Sequence, residues 1–325
     1  MTITKKLIES IEDIGEELLC LTREQYYQCN AYSKASLNYR KNIALDNGFS
    51  CLNGSYVICI DDNPVIALIG IKTEKDGVVN FNAYSGRPCL VVINHYKLSA
   101  KVRKLFFDEF NSLIESINGF FHYREPLVNG GVSVVAKHLL SIGGKASQFY
   151  TQVIDLEIEE LELKRSIRKS FKSLINWGSR ELNIAIRTSE NISFKDVELF
   201  RELHYIESGK RTRSEESWKM QYDMIKNDNA FLVTGFFNSE IVAVGFFVLS
   251  GNSCYYGASA SCRDLFQKPL FHSIMWTAIM HAKKINCRWF ETGEQVYQGE
   301  KKILDIGLFK SGFGGDTKLF LDINL

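Results

Sequence analysis

The run His204-Tyr205-Ile206-Glu207-Ser208-Gly209-Lys210-Arg211-Thr212-Arg213 concentrates an imidazole, a carboxylate and three cations in one short stretch. Histidine is the side chain whose ordinary pKa suits proton transfer near neutrality, and arginines bind phosphate through forked hydrogen bonds. His204 is therefore a candidate base, and Arg211 and Arg213 are candidate ligands for a phosphorylated substrate; the same residues read equally as a solvated turn. His272 stands in the first turn of a long apolar segment, where capping and core packing compete with catalysis. Glu291 and Glu294 bracket Gly293 at the expected end of a strand, the edge at which open α/β sheets present ligands. A carboxylate there could orient an ammonium group, and a solvated loop pair is the alternative. Eight cysteines form no C-x-x-C pair and have no histidine at zinc spacing, so no metal centre is expected.

The elements that must position these side chains belong to an ordered, globular chain. With 325 residues, 45% of them hydrophobic and 24% charged, and only 4 prolines, the length suits two domains better than one core. Lysine plus arginine (39) against aspartate plus glutamate (38) leaves +1, which excludes a global field for nucleic acid or an anionic membrane. Any polyanion must meet a local patch. The start of the chain carries Glu9, Glu12, Asp13 and Glu16, too acidic for a signal segment, and the longest apolar run, Ile241 to Leu249, is about half the roughly 20 residues of a spanning helix. A cytoplasmic chain without a transmembrane segment is expected.

Periodicity assigns Lys5 to Leu21 to a helix through Leu7, Ile8, Ile11, Ile14, Leu18 and Leu19. Tyr26 to Leu45 is ambiguous between helix and loop. A hairpin turns at Asp61-Asp62-Asn63-Pro64 between Tyr56 to Ile60 and Val65 to Ile71, and a further strand runs from Val78 to Tyr84. A helix over Lys97 to Ile117, a strand at Phe120 to Tyr123, a helix over Val132 to Ser141 and a strand from Gln148 to Leu156 complete the first half. Leu161 to Trp177 reads as one amphipathic basic helix, capped by Gly178 and bearing Lys164, Arg165, Arg168, Lys169 and Lys172 on its polar face. That face is either solvated or a surface for tRNA or a sugar nucleotide. From Leu182 onward the order is β-α-α-β-β-β-α-β-α-β, with helices over Phe194 to Glu207, Glu215 to Asn227, Pro269 to Lys284 and Gly299 to Lys310. In the strand at Cys254 to Gly257, Tyr255 and Tyr256 alternate sides, so at most one of them faces a site.

That order resembles the GNAT acyltransferase architecture. The segment Leu163-Lys164-Arg165-Ser166-Ile167-Arg168-Lys169-Ser170 and the ending Phe309-Lys310 followed by Phe313-Gly314-Gly315, an F-K-x-x-F-G pattern, resemble the FemAB-like branch. Members of that branch pass aminoacyl or acyl groups to amines on cell-wall and surface-glycan precursors. The resemblance implies two tandem GNAT-like domains, 1–158 (non-catalytic) and 159–325 (catalytic), each an α/β (α+β) arrangement with a mostly antiparallel sheet flanked by helices. It implies an acyl-CoA or aminoacyl-tRNA donor, and as acceptor a nucleotide-sugar or lipid-linked glycan precursor.

The resemblance further implies Lys310 at the reaction centre, stabilising charge on the carbonyl under attack, with Phe309 beside it. A solvated lysine at a helix C-terminus is the alternative. The junction carrying His204, Arg211 and Arg213 would line the acceptor pocket, Tyr256 would flank the acyl group, and Gln267 and Lys268 would meet the donor next to His272. Two departures separate this chain from acetyl-CoA enzymes. Leu270 and His272 occupy the small-residue positions of the Q/R-x-x-G-x-G/A loop, and Leu308 stands where a general-acid tyrosine is common. Two other readings remain: a plain acetyl-CoA-dependent N-acetyltransferase, and a GNAT-shaped binding subunit without turnover.

Overall fold

The computed structural model describes residues 2–24, 29–81, 88–127 and 130–325. The chain divides into two compact units, residues 1–149 with 319–325, and residues 150–318. Residues 150–158 thus count with the second unit and the final seven with the first.

The first unit contains β1 (Ile3–Leu7), α1 (Glu16–Glu24), α2 (Lys34–Asp46), β2 (Ser50–Asn53), β3 (Tyr56–Ile60), β4 (Asn63–Ile69), β5 (Ile71–Lys75), β6 (Val78–Phe81), β7 (Leu90–Ile93), α3 (Ala100–Glu115), β8 (His122–Pro126) and α4 (Val134–Ser141). Two antiparallel sheets form, ordered β1-β3-β4-β7 and β2-β5-β6. The hairpin turns as its sequence requires, with Asp61 and Asp62 both at positive φ (45° and 64°). The single helix expected over Lys5 to Leu21 is replaced by β1, a 3₁₀ turn and α1. Residues 3–7 satisfy the edge of β3, and Ser10 and Asp13 cap each other around the turn, so ladder pairing overrides the helical spacing. The ambiguous segment proves helical over α2, and the end of the strand expected over Val78 to Tyr84 lies outside the described residues.

The second unit is built from the later part of β9 (Lys145–Asp155), α5 (Glu160–Ser166), α6 (Lys169–Glu181), β10 (Asn183–Arg187), α7 (Phe194–Ser208), α8 (Glu215–Lys226), β11 (Ala230–Phe237), β12 (Glu240–Ser250), β13 (Ser253–Ser261), α9 (Leu270–Lys284), β14 (Trp289–Gln295), α10 (Lys301–Ser311) and the start of β15 (Asp316–Asn324). Its strands follow the order β10-β11-β12-β13-β14-β9; β13 and β14 are parallel and the other pairs antiparallel. Phe231, Phe247, Ile274, Met275, Ile279 and Phe290 make the centre of the core beneath α9. Burying side chains of this size contributes about 1.5 to 3 kcal/mol each.

Three expectations are corrected in this unit. The basic helix is two helices, because Ile167 and Arg168 take extended backbone (ψ 135° and 132°) and the Arg168 N–H is given to the Gly312 carbonyl. Gly178 does not cap it. It lies inside α6 facing Ser273 of α9, and the helix runs on to Glu181. The polar face is solvated, with Lys164 paired to Glu160 and Arg165 to Glu162. β14 also continues to Gln295, since its pairing with β9 persists past a register break to Gln295 opposite Tyr150. Glu291 and Glu294 therefore lie within a strand and not at its end.

Candidate functional site

A cavity of about 700 Å³ opens in the second unit among the end of α7, the later half of β13, the N-terminus of α9 and α10. Its position follows from a defect in the sheet. Gly257 is an extra residue on β13, between Tyr256 opposite Phe247 and Ala258 opposite Phe246. Such a bulge increases local twist and turns a strand away from its neighbour. The parallel pairing of β13 with β14 accordingly covers only Ser253 with Trp289, Cys254 with Phe290 and Tyr255 with Glu291. Beyond that point the strands part, and Tyr256, Ser259 and Ser261 line the cavity.

α10 lies over β14 and brings Lys310 to this split. Its Nζ sits 3.1 Å from where a Cβ on Gly293 would stand and 3.4 Å from the Glu294 carbonyl oxygen; the Tyr255 ring lies 3.9 Å from the same Cβ position. Gly293 has φ 103°, and the absence of a side chain there makes the room that the ammonium occupies. The cavity floor is aromatic. Phe271 lies between Tyr256 (5.6 Å) and Phe309 (6.2 Å), and His272 stands edge-on to Phe171 (4.5 Å) and Phe309 (5.2 Å). Burial pushes the His272 pKa down to about 4, so the imidazole is neutral at pH 7, and its Nδ1 is buried without a hydrogen bond. The Tyr256 hydroxyl donates to Ser259 Oγ at 2.5 Å, and burial raises its pKa.

Opposite, in the last turn of α7, Glu207 accepts the Ser261 N–H at 3.0 Å. Burial raises its pKa, partly offset by that hydrogen bond and by Arg263 and Lys302. Lys268, Lys301 and Lys302 add cations to the cavity wall.

Of the residues singled out from sequence, the cavity brings together Lys310, Phe309, His272, Tyr256 and Lys268. Gln267 is exposed and is not part of the lining. Glu291 is buried within β14 and accepts the Thr151 hydroxyl at 2.7 Å, whereas the Glu294 side chain is exposed. His204 points elsewhere: Arg213 Nη1 donates to its Nε2 at 3.0 Å, and the ring packs edge-on to Trp218 at 5.5 Å. Burial, then the Arg213 charge, hold its pKa down at about 4. Arg213 also lies 5.1 Å over the Trp218 ring, while Arg211 is exposed and 5.8 Å from Tyr205. The two arginines should therefore separate in a thermal melt. Arg213→Ala is expected to cost about 1 to 2 kcal/mol by removing a cation–π contact and a hydrogen bond, and Arg211→Ala less than about 0.5 kcal/mol. Equal melting temperatures would refute the clamp. Glu207 was counted from sequence only as the carboxylate of the His204 to Arg213 run and was given no role of its own, yet it is the residue of that run that lines the cavity.

No protein-family model and no curated protein matches this sequence. Solved structures do match. The chain is similar to FemX, with a TM-score of 0.71 and 10% identity over 98% of this chain and 96% of that one. The fold is that of FemX. It is also similar to a tandem GNAT protein from the clavulanic acid biosynthesis pathway, with a TM-score of 0.56 and 11% identity over 99% and 98% of the two chains. A third match is the C-terminal domain of a putative lysylphosphatidylglycerol synthetase from Agrobacterium fabrum, with a TM-score of 0.52 and 10% identity over 80% and 81%. The chain is thus an α/β protein with a tandem GNAT-like fold. Among the described residues no cluster could hold a metal ion, and no helix is long and apolar enough to cross a membrane.

Proposed function

We propose that this chain transfers an aminoacyl or acyl group to an amine on a cell-envelope precursor, a nucleotide- or lipid-linked amino sugar, with the reaction at the β13–β14 split. One observation carries the reading: the Lys310 ammonium stands over Gly293 at the mouth of an open cavity. Attack of an amine on an ester or thioester puts negative charge on the carbonyl oxygen, and a fixed cation beside that oxygen lowers the barrier because it needs no reorganisation. The FemX fold and the lysylphosphatidylglycerol synthetase match favour envelope chemistry.

The donor we infer is an aminoacyl ester of tRNA. A helix N-terminus binds diphosphate through free backbone N–H groups. At the start of α9 three of those groups are already engaged: the Lys268 N–H goes to Leu265 O (2.8 Å), that of Leu270 to Lys268 O (2.9 Å) and that of His272 to Pro269 O (3.4 Å), and Pro269 has none. Leu270 is buried at the same turn. Lys268 and Lys302 remain as side-chain partners for phosphodiesters. Acyl-CoA is the second reading, favoured by the match to a tandem GNAT protein whose structure is described as lacking AcCoA. Incubation with charged tRNA, acetyl-CoA and longer acyl-CoAs separately, each with a panel of amino-sugar nucleotides, tests both. A product heavier by an amino-acid residue is expected with charged tRNA. Product from acyl-CoA alone would select the second reading, and no product from any donor would reject the transferase.

A further inference from the structure

We propose that Glu207 is the general base for the acceptor amine in the cavity that holds Lys310, an inference that rests on the transferase reading above. Glu207 and Lys310 line one cavity from opposite elements, the last turn of α7 and the last turn of α10. The Ser261 N–H fixes one carboxylate oxygen, Oε2. That bond orients the group, as a positioned base requires. Among the other titratable groups of the lining, His272 is neutral and packed among phenylalanines, the Tyr256 hydroxyl is donated to Ser259, and Asp305 is paired with Lys301 at 2.7 Å. The lysines are cations and cannot accept a proton. Glu207 is the carboxylate left to do so.

The step balances without any further reagent. The neutral acceptor amine attacks the acyl carbonyl carbon of the ester or thioester donor; a C–N bond forms, and the carbonyl oxygen becomes an oxyanion beside Lys310. Glu207 takes a proton from the resulting ammonium nitrogen. The C–O or C–S bond to the donor then breaks, and the carboxylic acid returns the proton to the leaving oxygen or sulfur. Amide and free donor alcohol or thiol result, with Glu207 again a carboxylate.

The charges facing Glu207 are Arg263 after β13 and Lys302 on α10, with the Tyr256 hydroxyl on β13 also close enough to interact with it; Asp305 on α10 lines the same cavity. His204 lies one turn back on α7 and is held by Arg213. Burial raises the Glu207 pKa toward working pH, which strengthens a carboxylate as a base. Activity requires the carboxylate and falls as pH drops through a pKa raised above the ordinary glutamate value.

The test uses Glu207→Gln, which can still accept the Ser261 N–H through its amide oxygen, with the donor and acceptor that the wild type turns over. At pH 7, kcat is expected to fall about 100-fold or more, with acceptor KM within about threefold and an unchanged melting temperature. The acid limb of kcat/KM with a carboxylate-like pKa should vanish, while the limb set by the acceptor amine remains. Glu207→Asp, a shorter base, should recover part of kcat and the acid limb. An undiminished kcat, or a raised KM with the pH profile intact, overturns the inference while leaving the transferase standing. A wild type inactive with every donor fails the transferase reading and this inference together.

Discussion

Replacing Lys310 with methionine is expected to lower kcat about 100- to 1,000-fold with the fold intact. Methionine keeps an unbranched chain of similar length and deletes the charge. The loss corresponds to about 2.7 to 4 kcal/mol, the range measured when a preorganised oxyanion donor is removed. Little stability should go with it, because the contact with the Glu294 carbonyl is long, 3.4 Å, and the side chain is only half-buried. Arginine should not restore the rate, since the space above Gly293 receives a compact ammonium and not a planar fork. Gly293→Ala reports on the same geometry from the other side. A Cβ 3.1 Å from Nζ must displace the ammonium, so kcat should fall about 10- to 100-fold with Lys310 still present. Near-normal kcat in Lys310→Met, measured with a donor and acceptor that the wild type uses, would reject the reaction-centre assignment.

Gly315→Ala is expected to destabilise the second unit by about 2 to 5 kcal/mol, lowering the melting temperature by about 5 to 15 °C. Two costs combine. Gly315 has φ 77°, where an L side chain is strained by roughly 1 to 2 kcal/mol. An added Cβ would also stand 2.2 Å from the Val153 carbonyl oxygen and 2.9 Å from the Ile154 Cα, and backbone cannot swing aside as a flexible side chain does. Gly209→Ala separates the terms. Gly209 has φ 69° with nothing within 4 Å of the added atom, so only the conformational cost of about 1 to 2 kcal/mol applies. Equal melting temperatures for the two variants would show that β9 yields to the new methyl group.

How much was legible depended on whether a feature is local. The order of strands and helices from Leu182 to Asn324 could be read because turns and caps punctuate it: Ser214, just before α8, accepts the Ser217 N–H, and the helix that begins after Pro269 ends with Lys283 and Lys284. The position of Lys310 at the end of α10, beside the cavity, was legible through its neighbours, since the glycines that let the chain leave α10 are neighbours in sequence. The N-terminal segment was misread because an isolated stripe of apolar residues cannot tell which partner will take its backbone; β3 takes it as an edge strand. Arg213 and His204 were grouped correctly as neighbours, yet nothing in their order says that Trp218 will gather both. Glu207 stood in the same run but was given no role, for the complementary reason. A carboxylate near a helix end is ordinary until a bulged strand and α10 close a cavity around it, and that closure is a tertiary event.

The division of the chain also sets a timetable for synthesis. Residues 319–325 belong to the first unit, where they pair with β8, place Asp322 against Arg124 and His122, and put Ile323 into the core. Emerging from a ribosome at about 5 to 20 residues per second, the chain makes residues 150–318 during roughly 10 to 30 s before these partners exist. Throughout that interval β8 lacks the strand that will cover it and Arg124 lacks its counter-ion, so the unit translated first is the one that must wait. The nascent chain thus carries an open strand edge, a natural target for a holding chaperone, until residues 319–325 have been made.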